Sequence, residues 1–329
     1  MEKKQDNLME ISDLTVRYNT DDAVVHAVNN FNLKLVRGEA RGLEGETGAG
    51  KTTLALSILR LLPERVGEVT GGSIVYDGQE LLNLPEAEML PLRGKRISMI
   101  FQDPMTSLNP TQTVGDQILE VLNLHFPEMT REEKNKRVDE MMTLVGIPPQ
   151  RKKSFPHEFS GGMKQRVVIA MALVAEPELL LADEPTTALD VTIQAQILEL
   201  MKQLREKFNT SVMLITHDLG VVAQFCDSVS VVYAGRVVEY GPVEIVFQRK
   251  ENHPYTAGLF NCIPNLHDDQ PRLHPIAGHM ADPRVEYKGC CFADRCEYAT
   301  ERCRTEAPSM HVCGEHGILC HRYAEKEEF

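Results

Sequence analysis

The sequence has no apolar run long enough to cross a bilayer. The longest, Val167 to Ala175, is flanked by Lys164 and Arg166, and it falls far short of the roughly 20 residues a membrane-spanning helix needs. The N-terminus, Met1 to Asn7, shows neither an apolar signal core nor a small-residue cleavage site, so a cytoplasmic chain is expected. A basic excess is also missing. The formal charge of −13 excludes a general nucleic-acid binder, which presents a cationic face to phosphates. There is no internal repeat, and no cysteine precedes Cys226.

What is present is a globular composition. With 329 residues, 42% hydrophobic and 25% charged, the chain can bury one large core or two smaller ones. Leu8 to Val16 and Ala23 to Leu35 alternate as strands do. Ala40 to Gly45 then leads through a Gly-rich loop into an apolar helix over Thr52 to Leu62. Gly71 to Tyr76 and Arg96 to Phe101 read as further strands, and Thr113 to Val145 has helical spacing broken near His125 to Thr130. Leu179 to Ala182, Ile193 to Lys207, Val212 to Thr216 and Val229 to Tyr233 alternate strand and helix, predicting an α/β fold with a parallel sheet. From about Glu251 the periodicity fades, and a boundary is expected there.

The segment Gly45-Glu46-Thr47-Gly48-Ala49-Gly50-Lys51-Thr52 fits G-x-x-x-x-G-K-[ST] between a strand and a helix. Glycines let the backbone amides curl around phosphates, and a helix N-terminus adds favourable potential. Lys51 is expected to reach the β- and γ-phosphates and Thr52 to offer its hydroxyl to Mg²⁺. Glu44 puts a carboxylate just ahead of this loop, and its expected state is solvated or paired with Arg41. Leu179 to Ala182 ends on Asp183 and Glu184, which sets two acids at the ligand-binding edge of a parallel sheet. Asp183 is expected to hold Mg²⁺, and Glu184 to activate the attacking water.

Ser160-Gly161-Gly162-Met163-Lys164-Gln165 opens a helix about twenty residues before those acids. It resembles the signature sequence of ABC ATPases, and other landmarks follow in order: Tyr18, Gln102 in Phe-Gln-Asp-Pro, Ala188-Leu189-Asp190 and His217. The resemblance covers residues 8 to 250. It implies a P-loop ABC ATPase core with a parallel sheet, an antiparallel β part and a helical signature subdomain at about 103–176, within a nucleotide-binding domain at 1–250. Tyr18 would stack on adenine, and Glu46, Thr47, Ala49 and Thr53 would join the nucleotide contacts. Gln102 would sense Mg²⁺ and the membrane partner, and His217 would touch the γ-phosphate. Ser160, Gly161 and Gly162 would act on ATP bound by an opposing subunit, with Asp190 communicating across the dimer.

Residues 251–329 form an expected Cys-rich extension, with six cysteines between Cys290 and Cys320. In a reducing compartment such density points to metal before disulfides. The order His253-Pro254-Tyr255-Thr256, Cys262-Ile263-Pro264, Gly289-Cys290 and Phe292 to Cys296 resembles the C-terminal extension of oligopeptide and dipeptide transporter ATPases, a subfamily that includes nickel importers. That resemblance implies peptide uptake, with nickel or another solute as the alternative. It maps a [4Fe–4S] cluster onto Cys290, Cys296, Cys303 and Cys320. Four thiolates suit such a cluster and equally suit Zn²⁺, although the intervals lack the short pairs usual for zinc. Cys291, Cys313, His311, His316 and His321 leave other ligand sets open, and the tail is either a structural staple or a redox sensor.

The same resemblance implies a heterodimer with a related ATPase, two permease subunits, an extracytoplasmic peptide-binding protein and a place on the cytoplasmic face of the membrane. A soluble ABC protein of translation or DNA repair is the competing reading. Its usual second nucleotide domain or long inserted arm has no counterpart here.

Overall fold

A computed structural model describes residues 6–187, 189–248, 250–262 and 275–324. Ala188 and the segment Ile263-Pro264, named above, lie outside them. In chain order the elements are β1 (Asn7–Asn19), β2 (Val24–Val36), β3 (Ala40–Glu44), α1 (Lys51–Ile58), β4 (Gly67–Tyr76), β5 (Gln79–Glu80), α2 (Glu86–Met89), β6 (Ile97–Ile100), α3 (Pro104–Ser107), α4 (Val114–His125), α5 (Arg131–Leu144) and α6 (Gly161–Leu173). There follow β7 (Leu179–Asp183), α7 (Val191–Phe208), β8 (Ser211–Thr216), α8 (Leu219–Phe225), β9 (Ser228–Tyr233), β10 (Arg236–Pro242), α9 (Val243–Phe247), α10 (Pro254–Asn261), α11 (Glu301–Thr305), β11 (Met310–Cys313) and β12 (His316–Leu319). The chain divides into two compact units.

One unit comprises Met1–Asn7, Leu35–Ala40 and Asn83–Ile215. Its strands β6, β7 and β8 run parallel, with Ile100 opposite Ala182 and Asp183 opposite Ile215. All five residues of β7 are buried, which is why it reads as a continuous apolar run rather than an alternation. The expected break in the middle helix is made by two N-caps. Thr113 accepts from the Asp116 amide to start α4, and Thr130 forms a capping box with Glu133 to start α5. Asp190 caps α7, and Asn209 ends it in the left-handed conformation.

The other unit comprises Leu8–Lys34, Arg41–Leu82 and Thr216–Phe329. Its β1 pairs antiparallel with β4, Met9 facing Tyr76, with irregularities in register between Ser12 and Val16. β3 runs parallel to β9, and β9 pairs antiparallel with β10. The cysteine-rich segment then continues this pairing, because β12 lies antiparallel to both β10 and β11. β10, β11, β12 and α10 are not expected from the sequence pattern. β11 and β12 have four residues each and no alternation to detect.

The junction between β10 and β12 depends on Gly317. A Cβ there would collide with the Tyr240 ring, so any larger residue would force the ring to tilt or the strands to part. Behind the strands, Glu239 is fully buried. Its carboxylate accepts from Asn252 Nδ2 at 2.7 Å, the His253 amide at 2.8 Å and His316 Nε2 at 2.8 Å. Tyr323 Oη donates to the Asn252 carbonyl at 2.9 Å. The extension is thus fixed by a dry polar network as much as by its small core of Ile318, Cys320 and Tyr323.

Candidate functional site

In the unit that carries it, the Gly-rich loop runs from the end of β3 into α1. Gly50 sits at φ 96 as the residue before the helix, and a Cβ there would meet the Ala27 carbonyl. The helix begins with no side-chain cap and no acid in its first turn, so its amides and dipole are offered to an anion. Lys51 is buried, and its ammonium is held over the loop by the carbonyls of Gly45 and Glu46, the latter at 3.1 Å. Thr47 and Gly48 form the exposed tip, and Thr52 is exposed at the start of the helix. Ala49 donates its amide to the Glu46 carbonyl at 3.1 Å and accepts from the Gly235 amide at 3.0 Å.

Glu44 departs from expectation. It is only 1% exposed, which overturns the solvated reading, and the Lys51 ammonium is the cation that acts on it. Burial pushes its pKa up to about 8, with Lys51 pulling it down and Glu46 pushing it up. One carboxyl oxygen is buried without a hydrogen-bond partner. A carboxyl at the end of a strand packed on both sides loses more in desolvation than one nearby ammonium returns.

The Tyr18 hydroxyl donates to Thr53 Oγ1 at 3.1 Å, so the expected adenine-stacking ring lies against α1. His217 follows β8 and is exposed.

In the other unit, Asp183 is buried at the end of β7 and Glu184 is partly exposed just beyond it. Glu184 adopts φ 46, a left-handed conformation that a non-glycine residue holds only when its surroundings impose it. Its amide donates to the Ile215 carbonyl at 2.9 Å. Its carboxylate accepts from Gln102 Nε2 at 3.0 Å and from Thr187 Oγ1 at 2.8 Å. The structure therefore joins the two expected residues Gln102 and Glu184, and it adds Thr187, which the sequence reading did not single out. Thr187 lies three residues after Glu184 in the same turn, a local spacing that could have drawn attention to it.

Ser160 caps α6 by accepting from the Met163 amide at 3.4 Å. Gly161 and Gly162 open that helix, with Gly162 against the Ile193 side chain of α7. Asp190 is exposed and caps α7 by accepting from the Ile193 amide at 2.9 Å. The signature serine and the aspartate thus mark the N-termini of two helices in contact.

In the extension, Cys290, Cys296, Cys303 and Cys320 line one small cavity together with Phe292, Tyr298 and His321. Burial pushes the Cys290 thiol up to about 12, and neighbouring Cys291 adds to the shift. Burial also raises Cys296 and Cys320. Cys291 faces the Tyr233 carbonyl instead, 3.9 Å away, and Cys313 ends β11. His316 is taken by Glu239, and His311 contacts Ser309 Oγ at 3.2 Å. The four thiols share a cavity, yet among the described residues no three Cys, His, Asp or Glu side chains are closed into a group that could hold a metal ion.

Residues 28–187 match the family described as ABC transporter. The span holds the phosphate loop, Gln102, Ser160 and the Asp183-Glu184 pair. Two solved structures share the fold. One is a dimeric ATP-binding cassette in a post-hydrolysis state bound to ADP and Pi, 28% identical with a TM-score of 0.64, covering 71% of this chain and 98% of that one. The other is cbiO1 from Clostridium perfringens, part of the ABC transporter complex cbiONQ, 30% identical with a TM-score of 0.65, covering 75% and 93%. The protein is an ATPase of the ABC class.

A second match, residues 238–303, is to the oligopeptide/dipeptide transporter C-terminal region. The oligopeptide transport ATP-binding protein OppD of Haemophilus influenzae is 47% identical over 326 residues, covering 98% of both chains. That of Escherichia coli is 48% identical over 309 residues, covering 93% of this chain and 90% of its own. The chain belongs to the family of oligopeptide transport ATP-binding proteins. Among the described residues no helix is long and apolar enough to cross a membrane.

Proposed function

We propose that the chain is the motor subunit that powers uptake of oligopeptides or dipeptides through a membrane ABC importer. The carrying observation is near-complete, two-way similarity to oligopeptide transport ATP-binding proteins, extension included. In this reading residues 1–250 bind and hydrolyse ATP, and residues 251–329 are an appended Cys-rich domain. The subunit sits on the cytoplasmic face of the membrane, paired with a second ATPase and coupled to two permease subunits and an extracytoplasmic peptide-binding protein.

The roles of individual residues belong to the same reading. Amides of the loop from Gly45 to Gly50, with Lys51, cradle the phosphates, while Tyr18 stacks on adenine and Thr53 adds a nucleotide contact. Thr52, Asp183 and Gln102 hold Mg²⁺, whose charge offsets that of the β- and γ-phosphates. Glu184 takes a proton from the attacking water, and its partial exposure and two donors orient it for that task. His217 contacts the γ-phosphate. Ser160, Gly161 and Gly162 serve the ATP of the partner subunit, and Asp190 links the two sites.

The deciding experiment reconstitutes the purified complex in proteoliposomes and follows uptake of a labelled tripeptide driven by internal ATP. ATP-dependent tripeptide uptake is expected. Uptake of Ni²⁺ without peptide would overturn the cargo.

We further propose that Cys290, Cys296, Cys303 and Cys320 hold a [4Fe–4S] cluster, with Zn²⁺ as the alternative. A donor set of thiols alone, without carboxylates, suits soft metals. A bound cation would also lower the thiol pKa values that burial now raises. Such a group would supply a cross-link to a segment of low apolar content. Iron, zinc and acid-labile sulfide are to be measured on anaerobically purified protein. About four irons and four sulfides per chain are expected, whereas one zinc without sulfide would replace the cluster by zinc.

A further inference from the structure

Glu46 is the one acidic side chain inside the phosphate loop, and an unpaired carboxylate there opposes the arrival of a polyanion. In the structure every polar atom of this residue is engaged, and three of its hydrogen bonds are made with two residues of the C-terminal extension. Arg295 Nη1 donates to one carboxylate oxygen at 2.7 Å and Nη2 to the other at 3.2 Å, a two-pronged, charge-assisted contact. The Glu46 amide donates to Tyr255 Oη at 3.0 Å. Its carbonyl accepts from the Ala49 amide and from Lys51, both at 3.1 Å.

The clamp is itself rigid. The Arg295 side chain is 5% exposed. It also donates to the Ala277 carbonyl at 3.1 Å and to the Ile276 carbonyl at 3.4 Å, and lies beside the Tyr233 and Phe292 rings. Tyr255 is fully buried against the same two rings. Arg295 ends the short turn Ala293–Arg295, between Cys290 and Cys296, so the turn flanked by two of the cavity cysteines also bears the contact to the loop.

We propose that Arg295 and Tyr255 are positioning residues for the phosphate loop: they pin Glu46 so that the loop meets the triphosphate in one shape and with its own negative charge cancelled. A loop already fixed in its binding shape loses less freedom when ligand arrives. The extension thereby sets nucleotide affinity, whatever metal the cysteines hold.

The test uses the full chain, titrated by calorimetry with the non-hydrolysable analogue adenylyl imidodiphosphate and Mg²⁺, together with steady-state ATPase kinetics. Arg295→Gln should weaken binding ~10-fold and raise KM for ATP alike, leaving kcat within about 2-fold. Adding Glu46→Gln should restore affinity to within about 3-fold of wild type, because the charge needing cancellation is gone. A damaged extension would not be rescued in this way. A folded Arg295→Gln protein with unchanged affinity, or a double variant as weak as the single one, overturns the proposal. Tyr255→Phe keeps the ring volume and decides the matter should Arg295→Gln not fold. About 5-fold weaker binding is expected, and unchanged affinity overturns it.

Discussion

Glu184, just past β7, and Glu239, within β10, are both carboxylates held by hydrogen bonds, and they are held for opposite ends. Glu184 accepts from Gln102 and Thr187 and stays partly exposed, in a left-handed backbone conformation. Glu239 is sealed from water and accepts from Asn252, His253 and His316. A carboxylate that is to take a proton must be reachable by water. One that holds two chain segments together is most effective when dry and fully satisfied. The difference lies in access, since the chemistry of the group is the same in both places.

The same substitution made at both sites sharpens that contrast. Glu184→Gln should lower ATP turnover by about 10²–10⁴-fold, the usual contribution of a positioned base, while ATP binding and unfolding free energy stay near wild type. Steady-state ATPase assays and nucleotide titration check this, and wild-type turnover would remove Glu184 from the catalytic role. Glu239→Gln should do the reverse. Its amide cannot accept at both positions where donors now point, so the unit should lose roughly 3 kcal/mol in a urea unfolding curve, with turnover by the folded fraction largely kept.

These two sites were not equally legible. The phosphate loop, the signature helix start and the acid-ended strand are each a few consecutive residues, so local pattern carries them. The caps at Thr113 and Thr130 likewise lie in the sequence beside the helices they start. Glu239 and His316 are 77 residues apart and Glu46 and Arg295 are 249 apart, and no periodicity links such pairs. The burial of Glu44 was missed because a charged side chain at a strand end is ordinarily solvated. The four cysteines were visible by density, but that Cys291 and Cys313 turn away from their cavity is a matter of backbone path.

Glu44 extends the comparison to a carboxyl with one oxygen wholly unpartnered. Its folded pKa, about 8, lies above the ordinary 4.5. The native state therefore keeps a proton that the unfolded chain releases, and stability is fully present below about 4.5 and lost as pH rises through 8. Lys51, Glu46 and Tyr255 are the titratable neighbours that act on it. Glu44→Gln should flatten this slope and gain about 2 kcal/mol at pH 9, measured as unfolding free energy against pH. His253, buried and held neutral with its pKa lowered to about 3, contributes the opposite slope. Its stabilisation is present above about 6.5 and is lost as pH falls toward 3, so His253→Gln should alter only the acid limb.

The smallest effect separates the sealing of Glu239 from its hydrogen bonds. Gly317 lies opposite Tyr240 in the β10–β12 pair, and an added methyl group would strike the tyrosine ring. The ring must tilt or the strand must lift, and overpacking of this kind costs about 1–2 kcal/mol. Because His316 is the preceding residue, lifting the strand would also stretch its bond to Glu239. In Gly317→Ala the loss should shrink when Tyr240 is cut to Ser, which clears the ring, whereas Tyr240→Phe keeps the ring and should give no relief. If Gly317→Ala instead loses as much stability as Glu239→Gln, and Tyr240→Ser does not rescue it, then β12 pairing and the buried network fail as one unit, and the closeness of the strands is what keeps Glu239 dry.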